Sequence, residues 1–163
     1  MLRLGPILLA FILGSAFLTA QAPMGEKSAN NKQTAVSYLF PEQVTIPADK
    51  PTAVDLHFKV AAGLHVNSHT PHTEELIPTT LKLPDASGVR LVSATFPPGA
   101  DYAFAINPGE KLSVYTGEFV IHTALVAAKG NHLVEATLRY QACNNESCFP
   151  PRTIPVAIDV IAK

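Results

Sequence analysis

The sequence predicts an all-β domain, an antiparallel sandwich of the immunoglobulin-like kind. Three observations carry that expectation. Short runs rich in Val, Ile, Leu, Phe and Thr recur along the chain, with Gly, Pro, Asn or Asp between them. The clearest run, Thr52 to Val60, sets Val54, Leu56, Phe58 and Val60 on one face and Asp55, His57 and Lys59 on the other. That is the period of two of a half-buried strand. Fourteen prolines, no tryptophan and no helical stretch of useful length argue against a helical bundle.

The elements follow in order. Val36 to Phe40 stops at Pro41, and Gln43 to Ile46 stops at Pro47-Ala48-Asp49-Lys50-Pro51. After Thr52 to Val60, Ala61-Ala62-Gly63 turns the chain into Leu64 to Asn67. Leu76 to Leu83 reads as an edge strand, because Pro78 cannot donate to a ladder. Asp85-Ala86-Ser87-Gly88 turns into Val89 to Phe96. Pro97 to Glu110 reads as a long loop carrying Tyr102, Phe104 and Ile106. Lys111 to Tyr115 and Glu118 to Leu125 follow, hinged at Gly117. Lys129-Gly130-Asn131 makes a hairpin turn into His132 to Tyr140, and Thr153 to Ile161 closes the domain. Roughly eight to ten such strands suit a two-sheet sandwich. The long Cys-to-Cys spacing with an intervening Trp that marks true immunoglobulin domains is absent, so the cysteines are not expected to bridge the sheets.

The chain's 163 residues fit one domain plus appendages, and 47% apolar content supplies a core. A net charge of -1 offers no electrostatic case for nucleic acid. Residues 1–20 read as a secretory signal: Arg3, then an apolar run from Leu4 to Leu18, then small residues at Ala20 and Ala22. The run falls short of the ~20 residues that span a bilayer, which favours cleavage over anchoring. Residues 21–33 are polar and aperiodic and read as a disordered leader, so the folded domain is expected over 34–163. Export implies a periplasmic or secreted protein with no stable membrane insertion after cleavage. It also implies an oxidising compartment, where two cysteines can pair.

Cys143 and Cys148 are the only cysteines, with four residues between them, and lie between the strand ending at Tyr140 and the one starting at Thr153. Facing positions on antiparallel strands suit a disulfide. A ring this small is worth only about 2 kcal/mol on a chain-entropy argument. A bridge exposed at a hairpin tip is also open to an attacking thiolate. Staple and redox centre both stand on spacing and compartment. Arg139 and Arg152 would favour a thiolate, Glu146 would oppose it, and no histidine is adjacent in sequence. The pair therefore reads as a carrier served by a better nucleophile elsewhere.

The segment Leu138 to Cys143, with Cys148-Phe149-Pro150-Pro151, resembles the active-site signature of the N-terminal (alpha) domain of the thiol:disulfide interchange protein DsbD. Within it Tyr140, Gln141, Phe149 and Pro150 flank the cysteines. Gly63 to Ser68, Leu76 to Thr79 and Val114 to Gly117 resemble further runs of that family, so the likeness covers about residues 36 to 161. It implies an immunoglobulin-like fold and a Cys143/Cys148 dithiol that cycles with its disulfide and calls for no cofactor. Electrons would come from a thioredoxin-like protein or a membrane electron-transfer protein and pass to periplasmic acceptors. The resemblance further implies a cap loop, here Pro98 to Glu110, that shields the pair with Tyr102 or Phe104. It also implies that Cys148 is attacked and Cys143 resolves. The best-known form has one more residue between its cysteines. The given sequence holds neither the transmembrane nor the thioredoxin-like domain, so the reductant is expected to be a separate protein.

His65, His69 and His72 form the one candidate metal cluster. Pro71 and the β context argue against a helix that would align them. His57, His122 and His132 fall at outward strand positions. Beside the exchange domain, two alternatives remain: a redox-inert immunoglobulin-like binding module with a structural hairpin disulfide, and a periplasmic metal-binding protein.

Overall fold

Alternation along the strands decides the layers. The computed structural model describes residues 34–39, 43–85, 87–103, 109 and 111–163. The expected signal and leader, and Phe104, lie outside the described residues. Among them there are twelve strands and no helix. They are β1 (Val36–Leu39), β2 (Gln43–Ile46), β3 (Thr52–Val60), β4 (His65–Asn67), β5 (Thr80–Lys82), β6 (Val89–Thr95), β7 (Ala100–Ala103), β8 (Lys111–Tyr115), β9 (Glu118–Ala127), β10 (Gly130–Tyr140), β11 (Ala142–Cys143) and β12 (Arg152–Ala162).

Two four-stranded sheets, ordered β1-β3-β9-β6 and β2-β12-β10-β5, form the sandwich. Val54, Leu56 and Phe58 of β3 and Ile121 and Leu125 of β9 share one buried cluster with Val134, Ala136 and Leu138 of β10 and Val156, Ile158 and Val160 of β12. Those are the alternate positions of each strand, so one face of each sheet is dry and the other wet. Phe58 stacks on Phe119 at 5.3 Å between ring centroids. The fold is all-β and immunoglobulin-like, as the sequence predicts. Among the described residues the strand pairs are antiparallel except β2 with β12, which runs parallel.

A third sheet, β11-β4-β8-β7, completes the domain. It shares chain with both layers. Gly117, at φ +59°, turns β8 into β9, and Gln141 carries β10 into β11. The left-handed backbone at Gly117 suits a residue without a Cβ.

Two expected elements differ. The run Leu76 to Leu83 pairs as a strand only over Thr80–Lys82. Pro78 has no amide hydrogen, and the amide hydrogens beside it go elsewhere: Ile77 to the Gln141 side chain and Thr79 to the Ser68 carbonyl. The stretch Pro97 to Glu110 is not all loop. Ala100–Ala103 pairs with β8, Tyr102 opposite Leu112, because β8 otherwise leaves a free edge for it.

Candidate functional site

The cysteine loop forms where β10 leaves its sheet. The β10–β12 ladder ends at Tyr140 opposite Arg152. Beyond it, Ala142 and Cys143 pair with β4 instead, opposite Val66 and His65. The loop is therefore a ladder that changes sheets, rather than a simple extension of the β10–β12 hairpin. Asn144 makes the turn: its Oδ1 accepts from the amides of Glu146 and Ser147, each at 2.8 Å, and its own amide donates to the Ser147 carbonyl at 3.0 Å. An Asn that caps its own turn needs little outside help. Phe149 N donates to the Ala142 carbonyl at 2.8 Å, and Cys143 and Cys148 meet as an isolated antiparallel bridge. They are joined as a disulfide with Cα atoms 3.9 Å apart.

Gln141 ties this loop to the third sheet. Its Nε2 donates to the Phe149 carbonyl at 3.3 Å. Its Oε1 accepts from Asn67 Nδ2 at 3.1 Å and Ile77 N at 3.2 Å. The two cysteines differ in access. Cys143 is fully buried (0% exposed), while Cys148 is exposed and is followed by Phe149 at 39% and by exposed Pro150 and Pro151. The sequence suggests an exposed tip; exposure belongs to the Cys148 side alone, because pairing with β4 buries Cys143. Tyr140, which flanks the loop, is a fully buried core residue, and Arg139 and Arg152 are exposed.

Residues 35–159 match the family described as thiol:disulfide interchange protein DsbD, N-terminal. The chain belongs to that family. Its signature and the Cys143–Cys148 disulfide make it a thiol-disulfide exchange domain in type. It is similar to two solved structures. The N-terminal domain of DsbD from Neisseria meningitidis, crystallised in the reduced form, is 20% identical, with 68% of this chain and 79% of that one covered and a TM-score of 0.46. The N-terminal periplasmic domain of ScsB from Proteus mirabilis is 13% identical, with 75% and 43% covered and a TM-score of 0.49. No curated protein sequence matches the chain.

The DsbD resemblance led to Tyr102 and Phe104 as candidate shields. Phe104 lies outside the described residues. Tyr102 stands on β7 with its ring 4.1 Å from that of His65, and its hydroxyl donates to Asn145 Oδ1, inside the Cys143–Cys148 ring. Tyr102 thus latches the edge strand of the third sheet onto the cysteine loop. Beside the latch lies a cavity of about 410 Å³ whose walls include Lys59, Leu64, His65, Tyr102, Gly117 and Asn145.

The three candidate metal-binding histidines do not converge. His69 stacks on Phe96 at 4.0 Å and its Nδ1 meets the Thr79 carbonyl. His72 Nδ1 meets the Lys111 carbonyl, and its Nε2 lies 3.9 Å from Asp101. His65 is buried against Tyr102. Among the described residues no three His, Cys, Asp or Glu side chains gather to hold a metal ion. The backbone separates them because β4 ends at Asn67, and the loop beyond leads His69 and His72 to other strands.

The sequence assigns no role to Asn144 or Asn145, and it offers His65 as part of the family-like run Gly63 to Ser68 and as a candidate metal ligand, not as a neighbour of the cysteines. Asn144 carries a signal, since Asn favours turns in which its side chain caps the backbone. Tyr102 to Asn145 and His65 to Cys143 join residues far apart in sequence, and no local pattern reports such pairs. Burial pushes the His65 imidazole below the usual histidine range, so it is neutral at pH 7.

Proposed function

We propose that this domain is periplasmic, exported by a signal over residues 1–20, and relays reducing equivalents through Cys143 and Cys148. The donor is a thioredoxin-like protein or a membrane electron-transfer protein, and the acceptors are periplasmic disulfides. Unequal access to the two sulfurs is the observation that carries the reading. An attacking thiolate needs a sulfur it can reach in line with the S–S bond. Exposed Cys148 offers one, and buried Cys143 does not. The donor's thiolate attacks Cys148 Sγ, and Cys143 leaves as a thiolate with the electron pair of the broken bond. The donor's second thiol then displaces Cys148, leaving the donor oxidised and this domain a dithiol. Tyr102, latched to Asn145 and packed on His65, is the cap on the buried Cys143 side that keeps the reduced thiol there from stray oxidants and swings aside for a partner. Among the described residues no helix is long and apolar enough to cross a membrane.

Trapping tests the relay. A Cys143→Ser variant retains only Cys148 and is expected to hold a mixed disulfide with a thioredoxin-like protein lacking its resolving cysteine. Cys148→Ser is expected to trap none. Equal trapping by both variants, or by neither, overturns the assignment. A reduction potential well below about -300 mV would mark a structural bridge instead.

A further inference from the structure

His65 and Cys143 are register partners across the β4–β11 pair. Partners in an antiparallel ladder project from the same face, with Cβ atoms about 4.5–5.5 Å apart. His65 is 2% exposed, and its Nε2 is buried without a hydrogen-bond partner. A buried polar atom left unpaired is costly, and such exceptions call for a reason. Tyr102 does not supply one: its ring lies against the imidazole and its hydroxyl is spent on Asn145. In the disulfide, the Cys143 sulfur has no proton to share. Reduction gives it one, on the same face of the sheet.

We propose that His65 Nε2 is the proton acceptor for the Cys143 thiol, the base that makes Cys143 the resolving nucleophile. This rests on the exchange role proposed for the pair and adds the base that the flanking sequence lacks. When the reduced domain acts as donor, Cys148 first joins an acceptor through a mixed disulfide. The Cys143 proton moves to His65 Nε2, and the thiolate attacks Cys148 Sγ. The Cys143–Cys148 bond forms as the Cys148–acceptor bond breaks. The acceptor leaves as a thiolate carrying the electron pair, and the imidazolium passes its proton to that thiolate or to water. The dithiol is oxidised by two electrons and the acceptor disulfide is reduced by two. Burial keeps His65 neutral in the resting protein, so its Nε2 lone pair is open, and the thiolate formed beside it offsets the cost of charging a dry ring. Among the described residues, the titratable groups placed beside it are Cys143 from β11 and Tyr102 from β7, with Lys59 of β3 in the wall of the shared cavity.

Stopped-flow oxidation of the reduced chain by one equivalent of 5,5'-dithiobis(2-nitrobenzoate) reads the two steps apart. The first thionitrobenzoate leaves when Cys148 attacks the probe, and the second leaves when Cys143 resolves. His65→Gln is expected to keep the first phase and slow the second by about 100-fold near neutral pH, the lower end of general-base effects. The second phase should recover as pH rises into the thiol's own range. A folded variant whose second phase keeps its rate and pH profile overturns the proposal. Nitrogen NMR of the unmutated protein guards against a variant that does not fold. The His65 imidazole is expected to titrate differently in the oxidised and reduced chains, and identical titration overturns the proposal. The probe needs no protein partner, so a domain that traps no thioredoxin-like protein still reports on His65.

Discussion

The sandwich and the third sheet bury different chemistry. Between the first two sheets the interior is almost wholly apolar, from Leu56 and Phe58 to Leu138 and Val156. Of the buried polar residues His65, Asn67, Ser68, Thr79, Ser113 and Thr123, all but Thr123 lie on or against the third sheet. Their contacts are directional: Ser68 to Ser113 at 2.8 Å, Thr79 to the Asn67 carbonyl at 2.6 Å, and Asn67 to Gln141 at 3.1 Å. Apolar contact holds a fold together without fixing one atom against another, whereas a buried hydrogen-bond network holds particular atoms in place at the risk of unpaired groups. The cysteine loop hangs from the second kind of region. Stability and site geometry are therefore expected to respond to different substitutions.

The largest separation comes from Phe58, fully buried between the sheets. Phe58→Ala is expected to lower stability by about 3–5 kcal/mol in urea unfolding. The molecules that remain folded should still reduce at Cys143–Cys148 with dithiothreitol at the parental rate. A changed rate would show that the site is coupled to the core. Asn67→Ala tests the other side. It orphans the Ile77 carbonyl and loosens Gln141, which holds the Phe149 carbonyl. About 1–3 kcal/mol of stability should be lost, together with faster reduction of the disulfide as its clamp slackens. An unchanged reduction rate would sever the network from the site.

The smallest effect expected is in pH. The unfolded chain protonates His65 near the ordinary histidine pKa of about 6.5, while the folded chain resists until lower pH because the ring is dry. Between those values the unfolded state binds more protons, so stability rises with pH there. The contribution of His65 is whole above about pH 6.5 and is lost as pH falls toward the folded pKa. His65→Gln removes that part of the slope, so its urea midpoint should fall less than the parent's between pH 7 and pH 5. Parallel curves would show that His65 titrates alike in both states.

Period-two alternation made the long strands β3, β9, β10 and β12 legible, because half-burial imprints itself on successive residues. The short strands were harder. β7 carries no alternation that separates it from a loop, and it exists because β8 had an edge to offer. The cysteine spacing announced a dithiol in sequence, and the DsbD-like flanks pointed to exchange chemistry. Neither showed that one sulfur is buried and the other exposed.

Composition, alternation and the Cys143/Cys148 spacing are local properties, and they were enough for an all-β chain with a small disulfide ring near its C-terminus. The tertiary structure alone decided that β10 changes sheets at Gln141, that Cys143 stands opposite His65, and that Tyr102 reaches Asn145. The reason is distance along the chain. His65 and Cys143 meet only after β4, β8 and β11 pair, and no residue pattern short enough to read in one strand records which strand will lie beside it.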